Sequence, residues 1–217
     1  MSRQINERDV VVTAGDVRLP GTLTTPAGTD ALGTVVFAHG SGSSRLSRRN
    51  VAVARRLVEA GCATLLFDLL TEPEAADRGN VFDIALLGRR VRAATEWLRG
   101  RTELGGAAVG YFGASTGAAA ALVAAADLGD EVAAVVSRGG RPDLAGDALP
   151  RVTAPTLLLV GSLDVEVLRL NEAARRRMRT ATKLIVVEGA GHLFEEPGTL
   201  EAVADAAATW FVDRFES

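Results

Sequence analysis

Short, unbroken apolar runs alternate along this chain with longer segments in which apolar residues recur every third or fourth position. The first pattern is that of strands buried on both faces, the second that of helices with one buried stripe. Thr34-Val35-Val36-Phe37-Ala38, Ala63 to Phe67, Ala107 to Phe112, Val132 to Val136, Thr156 to Val160 and Leu184 to Val187 read as strands. Val51 to Ala60 reads as a helix that Gly61 stops, and Ile84, Leu87, Val91, Ala94 and Leu98 mark a second helix. Ala118 to Leu128 and Val165 to Arg179 are further helices. Leu200, Val203, Ala207, Phe211 and Phe215 line one face of a closing helix that Pro197 can start.

Ahead of these units, Val10-Val11-Val12-Thr13 and Val17-Arg18-Leu19 flank Ala14-Gly15-Asp16, which predicts a hairpin at a sheet edge. Pro20 and Pro26 fit an edge better than a central strand. Leu69 to Gly79 has no clear period and reads as a loop. The alternation predicts an α/β fold with a mostly parallel sheet and helices on both faces. With no repeat or linker-like stretch, residues 1–217 are expected to form a single domain.

Composition narrows the function classes. The net charge of -3 is spread along the chain, so nucleic acid is not an expected partner, because phosphate recognition needs a concentrated positive footprint. No apolar run approaches a membrane span, and Met1 to Asp9 lacks the apolar core of a leader, so no membrane contact and a cytoplasmic location are expected. The single cysteine, Cys62, allows no internal disulfide and reads as a buried, inert residue. Two distant histidines and one buried cysteine give no pattern for a metal, and no cofactor is expected.

The chemistry centres on Gly113-Ala114-Ser115-Thr116-Gly117, a Gly-x-Ser-x-Gly pattern between a predicted strand and a predicted helix. A serine there sits on a strained turn, with glycines where any side chain would strike the neighbouring strand or helix. Serine needs a base, and the base an orienting acid. His39 and His192 both fall at the carboxyl edge of the predicted sheet. Nucleophile-elbow folds order these groups as serine, acid, histidine, and Asp164 stands after a strand between Ser115 and His192. Ser115 is therefore expected as nucleophile, His192 as base and Asp164 as orienting acid, with Glu195 and Glu196 as alternative acids. The oxyanion donors are expected from the N–H of Thr116 and from the His39-Gly40-Ser41-Gly42 loop, with Ser41 preferred and Gly42 second. His39 would then pin that loop.

A competing reading takes Gly40-Ser41-Gly42, with Asp68 ending the next strand, as part of a dinucleotide fingerprint; Arg45 stands where its third glycine belongs.

Together, Gly113 to Gly117, the His39 to Gly42 loop, Asp164 and Gly191-His192 resemble the α/β-hydrolase superfamily, in particular its small dienelactone-hydrolase-like branch. The resemblance implies a single-domain α/β-hydrolase fold, with a sheet of about eight strands and a metal-free acyl-enzyme mechanism. Dienelactone hydrolases proper use a cysteine nucleophile, and Ser115 replaces it here, which favours a serine esterase acting on small-molecule esters or thioesters. Acyl transfer with the same groups, and a slow small-molecule receptor on the same scaffold, stay open. Only Ser137 to Pro155 separates two late strands, too short for a lid domain. Arg45, Arg48, Arg49, Arg138 and Arg141 cluster near the expected site, and Arg45 and Arg138 are the candidates for holding an anionic substrate.

Overall fold

The apolar runs assemble into one eight-stranded sheet in the computed structural model, which describes residues 5–28, 30–101, 104 and 106–217. Residues 1–4, part of the segment in which no leader was expected, lie outside the described residues. The strands are β1 (Ile5–Ala14), β2 (Val17–Pro26), β3 (Gly33–Ala38), β4 (Ala63–Phe67), β5 (Ala108–Ala114), β6 (Val132–Arg138), β7 (Thr156–Gly161) and β8 (Thr182–Val187). Their spatial order is β1-β2-β4-β3-β5-β6-β7-β8. The β1–β2 and β2–β4 pairs are antiparallel, and every pair from β4 to β8 is parallel.

The opening hairpin is longer than the periodicity suggested and pairs without slippage from Ile5↔Pro26 to Ala14↔Val17. β2 is not an edge strand, because β4 pairs with it through Gly21 to Thr24. Pro20 and Pro26 flank that doubly paired stretch, so neither missing N–H interrupts it.

The helices are α1 (Arg48–Glu59), α2 (Glu72–Ala75), α3 (Arg78–Phe82), α4 (Ile84–Arg99), α5 (Thr116–Leu128), α6 (Val165–Arg177) and α7 (Thr199–Phe215). The segment expected as a loop after Leu69 thus contains α2 and most of the approach to α3. Neither helix buries a residue, which is why no apolar period announces them; capping does the work instead. Thr71 Oγ1 accepts from the Glu74 N–H while the Glu74 carboxylate accepts from the Thr71 N–H, a reciprocal capping box. Arg90, buried on α4, donates to Glu74 at 2.7 Å and ties this segment to the body. Pro197 does not start the last helix but stands two residues before its first residue, Thr199, with Gly198 as the cap at φ 79°. No lid interrupts the chain between β6 and β7, where 3₁₀ turns run from Pro142 to Arg151.

Strand alternation divides the core between the two faces. Tyr111 packs with α4 and α5 on one face, its hydroxyl 2.6 Å from Thr95 Oγ1. Phe112 packs on the other with Phe37, α1 and α7, the two rings 4.9 Å apart. Both aromatics are core residues, and the carboxyl ends of β3 to β8 are left to carry chemistry.

Candidate active site

Ser115 stands between β5 and α5 with φ 51° and ψ −122°, one of two non-glycine residues at positive φ among the described residues. Such a conformation costs of order 1–3 kcal/mol and persists only where the surroundings impose it. Here they do. A Cβ on Gly113 would come within 2.4 Å of Ala118 Cα, and one on Gly117 within 2.2 Å of the Ala38 carbonyl oxygen. β5, β3 and α5 can therefore approach closely enough to force the turn. The backbone of Ser115 is held on both sides: its N–H donates to the Arg138 carbonyl at 3.2 Å, and its carbonyl accepts from Arg141 N–H at 3.0 Å.

Asp164 and His192 come together from the ends of β7 and β8. His192 Nδ1 lies 2.6 Å from Asp164 Oδ2. Asp164 occupies the cap position of α6, yet its side chain makes no cap hydrogen bond and turns to the histidine instead. Glu195, the nearest alternative, is exposed and paired with Arg49 at 3.2 Å. An acceptor at this distance fixes the proton on Nδ1 and leaves Nε2 with a free lone pair. His192 also approaches the elbow: a Cβ on Gly139, the residue after Arg138, would stand 3.6 Å from His192 Cε1. No hydrogen bond within 3.5 Å joins Ser115 to His192 among the described residues, a looseness common in sites without substrate.

His39 has a different environment. Its Nε2 accepts the Leu69 N–H at 3.1 Å, so the proton sits on Nδ1, which donates to the Gly40 carbonyl at 3.0 Å. Burial holds its pKa below the usual 6.5, against the opposing pull of the Gly40 carbonyl and Asp68. With its lone pair already used, His39 is a strut for the loop that follows β3.

That loop folds over the elbow. A Cβ on Gly40 would come within 3.1 Å of Ser115 Cβ, and Ser43 N–H closes a turn to the Gly40 carbonyl at 3.2 Å, with Gly42 at φ 68°. The Ser41 N–H, the preferred oxyanion donor, is occupied: it donates to Thr116 Oγ1 at 2.9 Å. The N–H groups of Thr116 and Gly42 meet no protein acceptor among the described residues. Spacing could not reveal the Ser41–Thr116 bond, since it joins residues 75 positions apart.

Arg45 is held in an ion pair, whereas the buried guanidinium of Arg138 has Nε and Nη1 without a hydrogen-bond partner among the described residues. The Arg45 N–H donates to Asp68 Oδ1 at 2.7 Å and its Nε lies 3.6 Å from Asp68 Oδ2, which also gives Asp68 a local role unrelated to a ribose. Arg138 is 8% exposed, on the strand face shared by Ala134 and Val136, and burial followed by the charge of Arg49 pushes its pKa down to about 10. Its contribution to the elbow is its carbonyl.

Two features were missed by sequence reasoning. Asn171, fully buried on α6, donates from Nδ2 to the Gly140 carbonyl at 2.9 Å and so braces the segment that holds Ser115. A polar residue on the inner face of a predicted helix was the available signal. The second is a cavity of about 450 Å³ beside the Gly40 to Ser44 loop, roofed by the α2–α3 segment.

The sequence model of the dienelactone hydrolase family matches residues 19–216. The chain belongs to that family. A solved structure of dienelactone hydrolase from Anabaena variabilis ATCC 29413 is 52% identical, covers 97% of this chain and 99% of its own, and superposes with a TM-score of 0.93. Est1E from Butyrivibrio proteoclasticus, at 17% identity and a TM-score of 0.82 over 96% of this chain and 99% of its own, shares the fold. A Mycobacterium tuberculosis (strain ATCC 25618 / H37Rv) protein named "Putative phosphoribosyl transferase" is 57% identical over 209 residues, which is 96% of this chain and 47% of that protein. The chain thus spans about half the length of that relative. The dienelactone hydrolase family accounts for the fold and the single sheet.

Proposed function

We propose that this chain is a serine hydrolase of small carboxylic esters or thioesters, acting through an acyl-Ser115 intermediate. The observation that carries the reading is the 2.6 Å contact between His192 Nδ1 and Asp164 Oδ2, at the same sheet edge as a serine held in a strained turn. Ser115 Oγ attacks the carbonyl carbon and its proton passes to His192 Nε2. The same proton then goes to the departing alcohol or thiol as its bond to the acyl carbon breaks. Water repeats the sequence: its proton passes to His192, its oxygen attacks the acyl carbon, and Ser115 leaves with the proton. Asp164 balances the imidazolium that forms in each half.

The Thr116 N–H is one donor to the oxyanion, at the positive end of α5. The second is the Gly42 N–H, or the Ser41 N–H once Thr116 Oγ1 releases it. The phosphoribosyl transferase name belongs to a relative about twice as long, and we assign that activity to the portion this chain does not span.

Incubation with a fluorophosphonate probe and a panel of short-acyl nitrophenyl esters tests the reading. Ser115 should be labelled, Ser115→Ala should not, and His192→Ala should lose several orders of magnitude in kcat/KM while His39→Ala keeps far more. An unlabelled wild-type protein that turns over no ester refutes it.

A further inference from the structure

The cavity beside the oxyanion loop has a chemistry of its own. Its lining includes Pro20, Leu69, Leu70, Ala75, Val81 and Leu87, drawn from β2, the segment after β4, α2, α3 and α4. Among the described residues, the ionisable side chains on its wall are His39, Asp68 and Glu72, with no lysine or arginine. His39 Nε2 accepts the Leu69 N–H, and Asp68 is paired with Arg45. The volume of about 450 Å³ lies in the range of small-molecule sites, and the wall is apolar with a negative rim. Its floor adjoins the nucleophile through Gly40, whose Cβ, if present, would be 3.1 Å from Ser115 Cβ.

Strand order decides which half of a substrate this cavity receives. β5, which carries Ser115, divides the sheet: β3, β4 and β2 lie to one side, β6, β7 and β8 to the other. The cavity is built entirely from the first side, whereas Asp164 and His192 follow β7 and β8 on the second. The leaving group must lie where His192 can protonate it, so the acyl group points across the elbow to the opposite side. We infer that this cavity is the acyl pocket and that it selects uncharged, apolar acyl groups, an assignment that rests on the ester-hydrolase reading.

A carboxylate-bearing acyl group meets no lining cation there, and Glu72 is the lining carboxylate that no ion pair among the described residues offsets. Arg45, paired with Asp68, is not among the residues that line the cavity.

The test is a series of nitrophenyl esters from acetate to octanoate, compared with monoesters ending in a carboxylate at matched length. Each added methylene that enters the cavity should raise kcat/KM by about fourfold until the cavity is full. The carboxylate-ended ester should be at least tenfold slower than its neutral match. Ala75→Trp, at an exposed position, and Val81→Trp, on α3, should lower kcat/KM for the octanoate at least tenfold more than for the acetate. Across a series of acetates with varied alcohols, Ala75→Trp should shift every member by the same factor. Fluorophosphonate labelling of Ser115 is read on the same preparations. Labelled, acetate-hydrolysing enzyme with a flat acyl series, a preference for the carboxylate-ended ester, or tryptophan variants that slow all chains equally overturns the pocket assignment alone. No labelling and no turnover of any ester overturns the hydrolase reading and the assignment with it.

Discussion

Replacing Gly117 by alanine asks whether the elbow is held by backbone contact or merely shaped by local preference. The new Cβ would lie 2.2 Å from the Ala38 carbonyl oxygen and 2.5 Å from the His39 carbonyl oxygen. These are backbone atoms at the end of a central strand, so no side-chain rotation relieves the overlap. Reaching even a 3.0 Å contact requires α5 and the end of β3 to separate by roughly 0.8 Å, and packed interiors yield only partly at such a site. Overpacking of this kind costs about 1–3 kcal/mol of stability. The same opening shifts Ser115 away from the Gly40 to Ser44 loop, and a displacement near 1 Å at a reacting centre costs on the order of 100-fold in rate. Gly100→Ala is the control. Gly100 has φ −73° and, among the described residues, its added Cβ would meet only the Trp97 carbonyl oxygen at 3.5 Å, so a change within about 0.5 kcal/mol is expected. Urea unfolding and kcat for a nitrophenyl ester read the two effects separately. A Gly117→Ala protein with wild-type midpoint and kcat within twofold of wild type would refute the contact argument.

Two further outcomes follow from polar groups around the site. Burial lowers the pKa of His39 from 6.5, so the unfolded chain binds a proton that the folded chain resists; the contribution is full above about pH 6.5 and is lost as pH falls towards the folded value. Urea midpoints should therefore drop on acidification below pH 6.5 more steeply in wild type than in His39→Gln, and parallel curves would disprove it. Asn171→Ala removes the Nδ2 donor from the Gly140 and Val167 carbonyls and should cost about 1–3 kcal/mol, with a lowered kcat and little change in KM as the segment holding Ser115 slackens. Unchanged unfolding and unchanged kcat would show that Gly140 is held by other contacts.

Much of this protein was legible in one dimension because its strands are buried on both faces. Runs such as Leu157 to Val160 have no polar position to confuse with a loop, and the glycines of Gly113 to Gly117 stand where only a sharp strand-to-helix turn needs them. Strand and helix succession, the α/β class and the order of Ser115, Asp164 and His192 follow from local pattern and chain order. Elements without a buried face left no such mark. The α2 and α3 segment is held by caps and by Arg90 across the fold, so its roofing role over the cavity is a property of packing. The fate of polar groups was likewise decided in three dimensions. Which histidine has a free lone pair depends on Leu69 N–H reaching His39 and Asp164 reaching His192. Arg45 faces Asp68 because loop closure brings the two together, and Arg138 is buried because strand alternation puts it on the face of Ala134 and Val136. The sequence by itself determined where a nucleophile stands. Only the tertiary structure decided what surrounds it, because the partners of a side chain are set by distances in space that residue spacing does not encode.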